Sequence, residues 1–407
     1  MINIAVLGHG VVGSGVVELI NAHTENIKKK AKEEIYVKHI LDLREFNGLE
    51  YSDRFTKDYN DIINDDDVKI VVEVMGGIHP AFEFSKAALE KGKSVVTSNK
   101  ELVAEKGAIL LDIAKNNNVN FLFEASVGGG IPILRPITQC LAANDLYEVI
   151  GILNGTTNFI LTKMAEENMS FDEALALAQQ LGYAERDPSA DIDGHDTCRK
   201  ICILASISFG KHVYPKWVKT EGIRNITLEE KEYASIYGGS IKLIGRSRLL
   251  ENGKITASVY PAIIGKENQL CHVNDVFNAI MVRGDSIGDV MFYGRGAGKM
   301  PTASAVVADV IDCVKHLSAR KYLYWDDCTD GYVVDEGVNK AKFFICLKNS
   351  DGLLETVKKT FPGCTFIKRE KASNELAFIT AVDKESKILD ALSSINATVI
   401  SKLHILD

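Results

Sequence analysis

The 407-residue chain has no apolar run long enough to span a bilayer, so no membrane-crossing helix is expected. It also has no cationic surplus. Its formal net charge of −8 argues against a nucleic-acid partner, because phosphate binding needs clustered lysine and arginine. The densest basic run, Lys28 to Lys32, is followed at once by Glu33 and Glu34 and reads as a solvated helix end. Cys-x-x-Cys pairs are missing as well: the eight cysteines are scattered. Cys198 and Cys202 stand four apart in a segment that reads as helix, yet no His or Cys elsewhere completes a metal-ligand spacing. Reduced packing cysteines of a cytoplasmic protein are expected. The chain starts directly on a strand-like run, Ile2 to Leu7, with no room before it for a signal peptide.

The charged and apolar fractions are those of a globular protein, and the length calls for two or three domains. Over residues 1–140, short β-branched runs alternate with helical patterns. Strands are predicted at residues 2–7, Ile35 to Asp42, Ile70 to Met75, Ser94 to Thr97 and Asn120 to Glu124, with helices such as Ala81 to Lys91 and Glu101 to Asn116 between them. This alternation predicts an α/β, doubly wound dinucleotide-binding domain, which residues 295–330 are expected to rejoin. Residues 141–300 follow a different rhythm and read as an α+β domain for substrate binding and dimerisation. Ser170 with Glu173 and Thr227 with Glu230 form capping boxes, and Glu251-Asn252-Gly253 joins two alternating strands as a hairpin. A helix is expected from 301 to about 317, with Pro301 at its start. Residues 335–407 read strand, helix, strand, strand, helix, strand, which is a ferredoxin-like order.

Gly8-His9-Gly10-Val11-Val12-Gly13 follows the first strand and opens a helix. In that context Gly8 permits the tight turn, Gly10 lets a pyrophosphate approach the backbone, and Gly13 lets helix pack on strand. The N–H groups of residues 9 to 13 then face phosphates at the positive end of the helix. Asp42 ends the second strand, where a carboxylate would bind the adenosine ribose and favour NAD. It lies further from the glycines than the usual ~20 residues. Arg44 could instead hold the 2′-phosphate of NADP, so the coenzyme stays open.

Polar residues concentrate in three further segments: Thr97-Ser98-Asn99-Lys100, Asn154-Gly155-Thr156-Thr157-Asn158, and Gly182 to Lys200. Lys100 falls at the carboxyl edge of the sheet, where such folds bind ligands. A cation there opposes the dipole of the helix it opens, which points to a functional role. Asp196 and Lys200 share one face of a predicted helix over 194–208. A surface pair of that spacing is worth only ~0.3–0.5 kcal/mol, but the apolar residues after Lys200 predict burial.

Taken together, these segments, with Glu124-Ala-Ser-Val-Gly-Gly-Gly-Ile-Pro132, Leu181-Gly-Tyr-Ala-Glu-Arg-Asp-Pro188, Asp191-x-x-Gly-x-Asp-x-x-x-Lys200 and Gly294-Arg-Gly-Ala-Gly-Lys299, resemble homoserine dehydrogenases, collinearly from residue 8 to about 309. The resemblance implies NAD(P)-dependent reduction of aspartate 4-semialdehyde to homoserine, in the biosynthesis of threonine, methionine and isoleucine. It makes Lys200 the proton donor to the carbonyl oxygen, with Lys100 beside that oxygen and Asp196 orienting Lys200. It implies that Glu185 and Asp191 hold the substrate ammonium, and that Tyr183, Gly155 and Thr156 shape the pocket. Gly8, His9, Gly10, Val11, Val12, Gly13, Asp42, Arg44, Ser98, Lys100, Gly182 and Gly298 would line the cofactor. Glu124 with the carbonyls of Val127, Gly129 and Ile131 resembles the family's sodium site, and an all-oxygen loop suits a hard cation.

The C-terminal unit resembles an ACT domain, although Asn349-Ser350-Asp351-Gly352 lacks the proline usual in its first turn. The resemblance implies threonine as an effector and a homodimer or higher homo-oligomer. Two other functions compete with this one. Phosphorylating semialdehyde chemistry needs a nucleophilic cysteine with a base, and no cysteine here sits in a Gly/Asn-rich turn beside a His. A non-catalytic NAD(P)-binding sensor with an amino-acid-binding tail would keep the fold but has no need of Lys100, Glu185, Asp191, Asp196 and Lys200 together.

Overall fold

The computed structural model describes all residues except Lys321, Tyr322, Lys371 and Ser373. The chain forms two compact units. One consists of Met1–Val149, Cys202–Lys216 and Val282–Asp330, and the other of Ile150–Ile201, Trp217–Met281 and Gly331–Asp407. Among the described residues, no helix is long and apolar enough to cross a membrane.

The first unit is built on a six-stranded parallel sheet. In spatial order its strands are Phe55–Thr56, Ile35–Leu41, Ile2–Leu7, Val68–Glu73, Ser94–Thr97 and Phe121–Leu122. With the strands numbered along the chain this is 3-2-1-4-5-6, the order of a doubly wound nucleotide fold. Side chains on both faces are buried: Ile4, Val6, Ile70 and Val72 on one, Ala5, Leu7, Val71 and Val95 on the other. That burial explains why these strands read as unbroken β-branched runs rather than alternating ones. Helix Val11–Ala22 and helix Lys299–Lys315 close one face, and Gly15 lets them touch, since a β-carbon there would lie 3.0 Å from the Ala303 β-carbon. The latter helix starts two residues earlier than expected, which leaves Pro301 in the first turn, where its missing N–H costs nothing.

The strand expected at 120–124 stops after Phe121–Leu122. Glu124 leaves the ladder because its N–H donates to the buried Asp309 carboxylate at 2.8 Å, and residues Glu124–Ser126 form a 3-10 turn instead. Elsewhere in this unit His212 joins three segments. Its Nδ1 accepts the Trp325 indole N–H at 2.9 Å, so its Nε2–H donates to the Ala104 carbonyl at 3.0 Å, and burial lowers the imidazole to about 4.

In the second unit, strands Gly239–Leu249 and Ile255–Gly265 pair antiparallel along their full length around the expected turn, with Gly253 at φ +75°. Both capping boxes form: Ser170 and Glu173 exchange hydrogen bonds at the start of helix Phe171–Gln180, as do Thr227 and Glu230 at helix Leu228–Tyr237. The C-terminal segment runs strand Phe343–Lys348, helix Leu353–Thr360, strand Thr365–Ile367, strand Glu375–Ile379, helix Glu385–Ser393 and strand Val399–Leu406. Its strands are antiparallel in the order fourth, first, third, second. Val399–Leu406 also pairs in parallel with Ile255–Gly265, which makes the C-terminal sheet continuous with the hairpin.

Lys242 sits inside this unit, 2% exposed, with its ammonium donating to Asn158 Oδ1 at 3.1 Å, the Val273 carbonyl at 2.6 Å and Asn274 Oδ1 at 2.9 Å. Three neutral oxygens replace water but supply no counter-charge, and burial lowers the group to about 8. The unfolded chain therefore binds the extra proton between pH 8 and 10.5, and stability must rise with pH across that window. Denaturant unfolding of the parent and of Lys242→Met at pH 7.5 and 10.5 should show the parent gaining on the order of 3 kcal/mol relative to the variant. An unchanged difference would mean that the amine is neutral, or equally hydrated, in both states.

Candidate functional site

At the first strand's carboxyl end, the glycine motif turns into helix Val11–Ala22. Gly8 adopts φ +96°, and a β-carbon at Gly13 would fall 1.9 Å from the Gly8 carbonyl oxygen, so neither position tolerates a side chain. A β-carbon at Gly10 would meet nothing within 4 Å. The backbone is thus open on the side where a pyrophosphate would sit, and Val11 is exposed beside it. A cavity of about 500 Å³ continues from this turn, lined among others by Gly8, Gly10, Asp42, Arg44, Lys57 and Tyr59. The residues present fit a dinucleotide.

The Asp42 carboxylate already has several partners. It accepts the His9 N–H at 2.8 Å, the Arg44 N–H at 3.0 Å, and the Arg44 guanidinium through Nε at 3.0 Å and Nη2 at 2.8 Å. That guanidinium holds the carboxyl far below the usual carboxylate range. The His9 ring is buried against Phe46, Tyr51 and Phe55, and desolvation lowers its pKa. Further along the sheet edge, buried Glu73 accepts the Thr97 hydroxyl at 2.6 Å and the Met75 N–H at 2.8 Å. Asn99 Oδ1 caps helix Lys100–Asn116 by accepting the Leu102 N–H at 3.1 Å, which leaves Ser98 just before the cap and Lys100 as the first residue of the helix. Lys100 therefore opens the helix at the positive end of its dipole, where a cation is disfavoured by ~0.3–1 kcal/mol.

The second unit holds the other cluster. Helix His195–Phe209 begins with Asp196 and Lys200 one turn apart, 3% and 7% exposed. Lys200 Nζ donates to Asp196 Oδ2 at 2.7 Å and to the Leu153 carbonyl at 2.7 Å. The pair is buried, as the apolar residues that follow Lys200 predict. Asn154 caps helix Gly155–Glu166 through Oδ1, which accepts the Thr157 N–H at 2.8 Å. Its Nδ2 donates to Asp191 Oδ1 at 2.7 Å and to Asp196 Oδ2 at 2.8 Å. The Thr156 hydroxyl donates to the Tyr183 carbonyl at 2.7 Å, and the Tyr183 ring meets Phe159 edge-on. A β-carbon on Gly155 would lie 2.8 Å from the Val276 carbonyl, so that position requires glycine. Gly182, at φ +76°, turns the chain into the Tyr183–Asp187 loop, where Glu185 is exposed.

These placements divide the candidates between the units. Gly8, His9, Gly10, Val11, Val12, Gly13, Asp42, Arg44, Ser98, Lys100 and Gly298 belong to the first; Gly155, Thr156, Gly182, Tyr183, Glu185, Asp191, Asp196 and Lys200 belong to the second. Gly298 is the N-cap of helix Lys299–Lys315 at φ +116°, and Gly129 packs so tightly on Gly296 that a β-carbon would come within 2.5 Å of its carbonyl oxygen.

The Glu124 carboxylate has a different task from the one expected. It accepts the N–H groups of Ile133 at 2.6 Å, Leu134 at 2.9 Å and Arg135 at 2.8 Å, together with Arg135 Nε at 3.3 Å. With four donors on it, it does not fit as a cation ligand. Only backbone carbonyls of the Glu124 to Ile131 loop, including those of Val127, Gly129 and Ile131, remain for one. Among the described residues, no group of three or more His, Cys, Asp or Glu side chains could hold a metal.

The sequence marks Asn154 and Asn99 as members of polar segments without giving either a role, and it does not mark Glu73 at all. The first two carried a usable signal, an asparagine between a strand and a helical pattern. Glu73 carried none, since a carboxylate inside an apolar strand has no meaning until its neighbour strand is known.

The family model described as the homoserine dehydrogenase NAD binding domain matches residues 8–124, and the one described as homoserine dehydrogenase matches residues 132–311. A homoserine dehydrogenase of Lactococcus lactis is 41% identical over 320 residues, covering 77% of this chain and 74% of its own. One of Mycobacterium bovis is 35% identical over 404 residues, covering 96% and 89%. Among solved structures, a homoserine dehydrogenase from Thiobacillus denitrificans superposes with a TM-score of 0.90 at 32% identity, covering 100% of this chain and 98% of that one. The Staphylococcus aureus enzyme at pH 7.5 gives 0.85 at 36% identity, covering 99% and 98%. A hyperthermophilic archaeal homoserine dehydrogenase mutant in complex with NADPH gives 0.64 at 29% identity, covering 77% and 97%. A dinucleotide turn in one unit and a buried lysine–carboxylate cluster in the other are what a hydride-transferring carbonyl reductase requires, and the chain belongs to the homoserine dehydrogenases.

Proposed function

We propose that this NAD(P)-dependent oxidoreductase interconverts L-aspartate 4-semialdehyde and L-homoserine through Lys200, Lys100, Asp196, Asp191 and Glu185. The observation that carries the reading is the buried Lys200–Asp196 pair, held by the Leu153 carbonyl and the Asn154 amide. A bound nicotinamide supplies or accepts the hydride. The chain has to stabilise the negative charge that builds on the aldehyde oxygen and deliver a proton there. Lys200 is the proton donor, aimed by Asp196 and by the helix that carries both. By the family resemblance Lys100 is a second cation for the substrate; it opens helix Lys100–Asn116 of the first unit, where a cation opposes the helix dipole. Asp191 and Glu185 grip the substrate ammonium, and Thr156, Gly155 and Tyr183 form the wall around it. No step is assigned to a sodium ion.

On the cofactor side, Arg44 and Lys57 set two cations on the cavity's edge beside Asp42. Arg44 takes the 2′-phosphate of NADP, and Asp42 aims it. We further read the C-terminal unit as an ACT-like module for which threonine is the effector, the pathway as that of threonine and methionine, and the enzyme as a cytoplasmic homodimer or higher homo-oligomer. Outward-facing Met291 and Tyr293 on strand Gly288–Arg295 support self-association.

Three outcomes are expected. Replacing Lys200 or Lys100 with Met should lower kcat by about 100- to 10,000-fold, the usual range for a lost general acid. Near-normal kcat with an unchanged pH profile in either variant would remove that lysine from the mechanism. Arg44→Ala should lower kcat/KM for NADPH at least tenfold and leave NADH within about twofold, since a phosphate-specific contact of ~1.4 kcal/mol or more affects one coenzyme only; equal losses would sink the phosphate assignment. Calorimetric titration of the intact enzyme with threonine should give a saturating heat, and its absence at millimolar ligand would rule out sensing.

A further inference from the structure

Asn154 has more hydrogen bonds than a helix cap needs. It is 5% exposed, and all three of its hydrogen bonds are short and directed: Oδ1 accepts Thr157 N–H at 2.8 Å, and Nδ2 donates to Asp191 Oδ1 at 2.7 Å and Asp196 Oδ2 at 2.8 Å. The Asp196 oxygen it contacts is the one that receives Lys200 at 2.7 Å, and the residue just before it, Leu153, supplies the carbonyl that holds Lys200 from another side. Two consecutive residues at a strand-to-helix junction therefore fix the ammonium and both carboxylates.

We infer that Asn154 is a positioning residue: its amide keeps the ammonium-gripping carboxylate, Asp191, and the lysine-orienting carboxylate, Asp196, close together and both ionised. This rests on the roles proposed above for Asp191, Asp196 and Lys200. Two carboxylates brought near each other repel, and donors placed between them offset that repulsion. An amide NH2 offers two N–H groups spread in a plane, one for each carboxylate, and hydrogen bonds of this kind favour the charged form. A protonated Asp196 could not pair with Lys200 as an ion, and a protonated Asp191 could not bind an ammonium. The amide therefore serves substrate grip and proton delivery at once. Among the described residues, Asp191 and Asp196 bond the amide directly, and Lys200 is joined to it through Asp196. Asp193, next along the loop, is turned to Arg224 at 2.8 Å. The cap fixes the amide's orientation, because Oδ1 on the helix N–H leaves Nδ2 only one direction to point.

The cap and the bridge can be separated experimentally. Asn154→Ser retains a side-chain oxygen for Thr157 N–H but has no paired donors for the carboxylates. Its thermal midpoint should stay within a few degrees of the parent. Its kcat/KM for the semialdehyde should fall about 10- to 100-fold, with a raised KM and a lowered kcat, and the acid limb of its pH profile should move upward by about one pH unit. Asn154→Asp also caps but sets a third carboxylate against the other two, so its activity should fall further and recover in part as the pH is lowered. A parental pH profile and kcat/KM in Asn154→Ser would overturn the inference and leave Asn154 as a cap alone. Lys200→Met in the same assay distinguishes the two failures. If that variant is inactive while Asn154→Ser is parental, only the bridge is wrong; if it stays active, the site reading fails and this inference fails with it.

Discussion

The cluster in the second unit depends on one constraint: an ammonium taken out of water needs oxygen acceptors in place of it. Lys200 meets it with a carboxylate one helical turn back and a carbonyl from the end of a neighbouring strand. Burying such a pair is not in itself stabilising, since desolvation offsets most of the Coulomb gain, whereas removing one partner is costly. The pair is therefore better explained by chemistry than by stability. Its presence fixes the helix against the strand end and makes Asn154 the hinge of the whole cluster.

The comparison with Lys242 sharpens the point. Both lysines are buried in the same unit, 7% and 2% exposed. Lys242 is surrounded by two amide oxygens and a carbonyl, partners that tie a strand to a helix and a loop without any negative charge. Lys200 faces a carboxylate joined through an amide to a second one. The first arrangement suits a fixed tie; the second suits a group that must hold charge, pass a proton and recover it.

Glu124 illustrates the same distinction among carboxylates. A glutamate at the head of a glycine-rich loop is chemically suited to a cation, but three consecutive backbone N–H groups at a helix start reach it first. Beside it Asp309, buried and pushed up to about 7 by desolvation, takes the Glu124 N–H and the Arg135 guanidinium. The two acids hold the edge of the parallel sheet to helix Lys299–Lys315, and this is why the last strand is short.

Local signals along the chain determine much of this protein. Glycines spaced for a phosphate turn, runs apolar on both faces, capping boxes at Ser170 and Thr227, and the hairpin at Glu251-Asn252-Gly253 depend only on neighbours a few residues away, so they are legible along the chain. Lys200 and Asp196 were legible for the same reason, being one helical turn apart. What only the tertiary structure decided were the partners distant in sequence: Asn154 with Asp191 and Asp196, His212 with Trp325, and Glu124 and Arg135 with Asp309. A side chain's type limits what it can bond, but which of several chemically equal partners it meets is set by where packing brings the backbone, and sequence spacing carries no record of that.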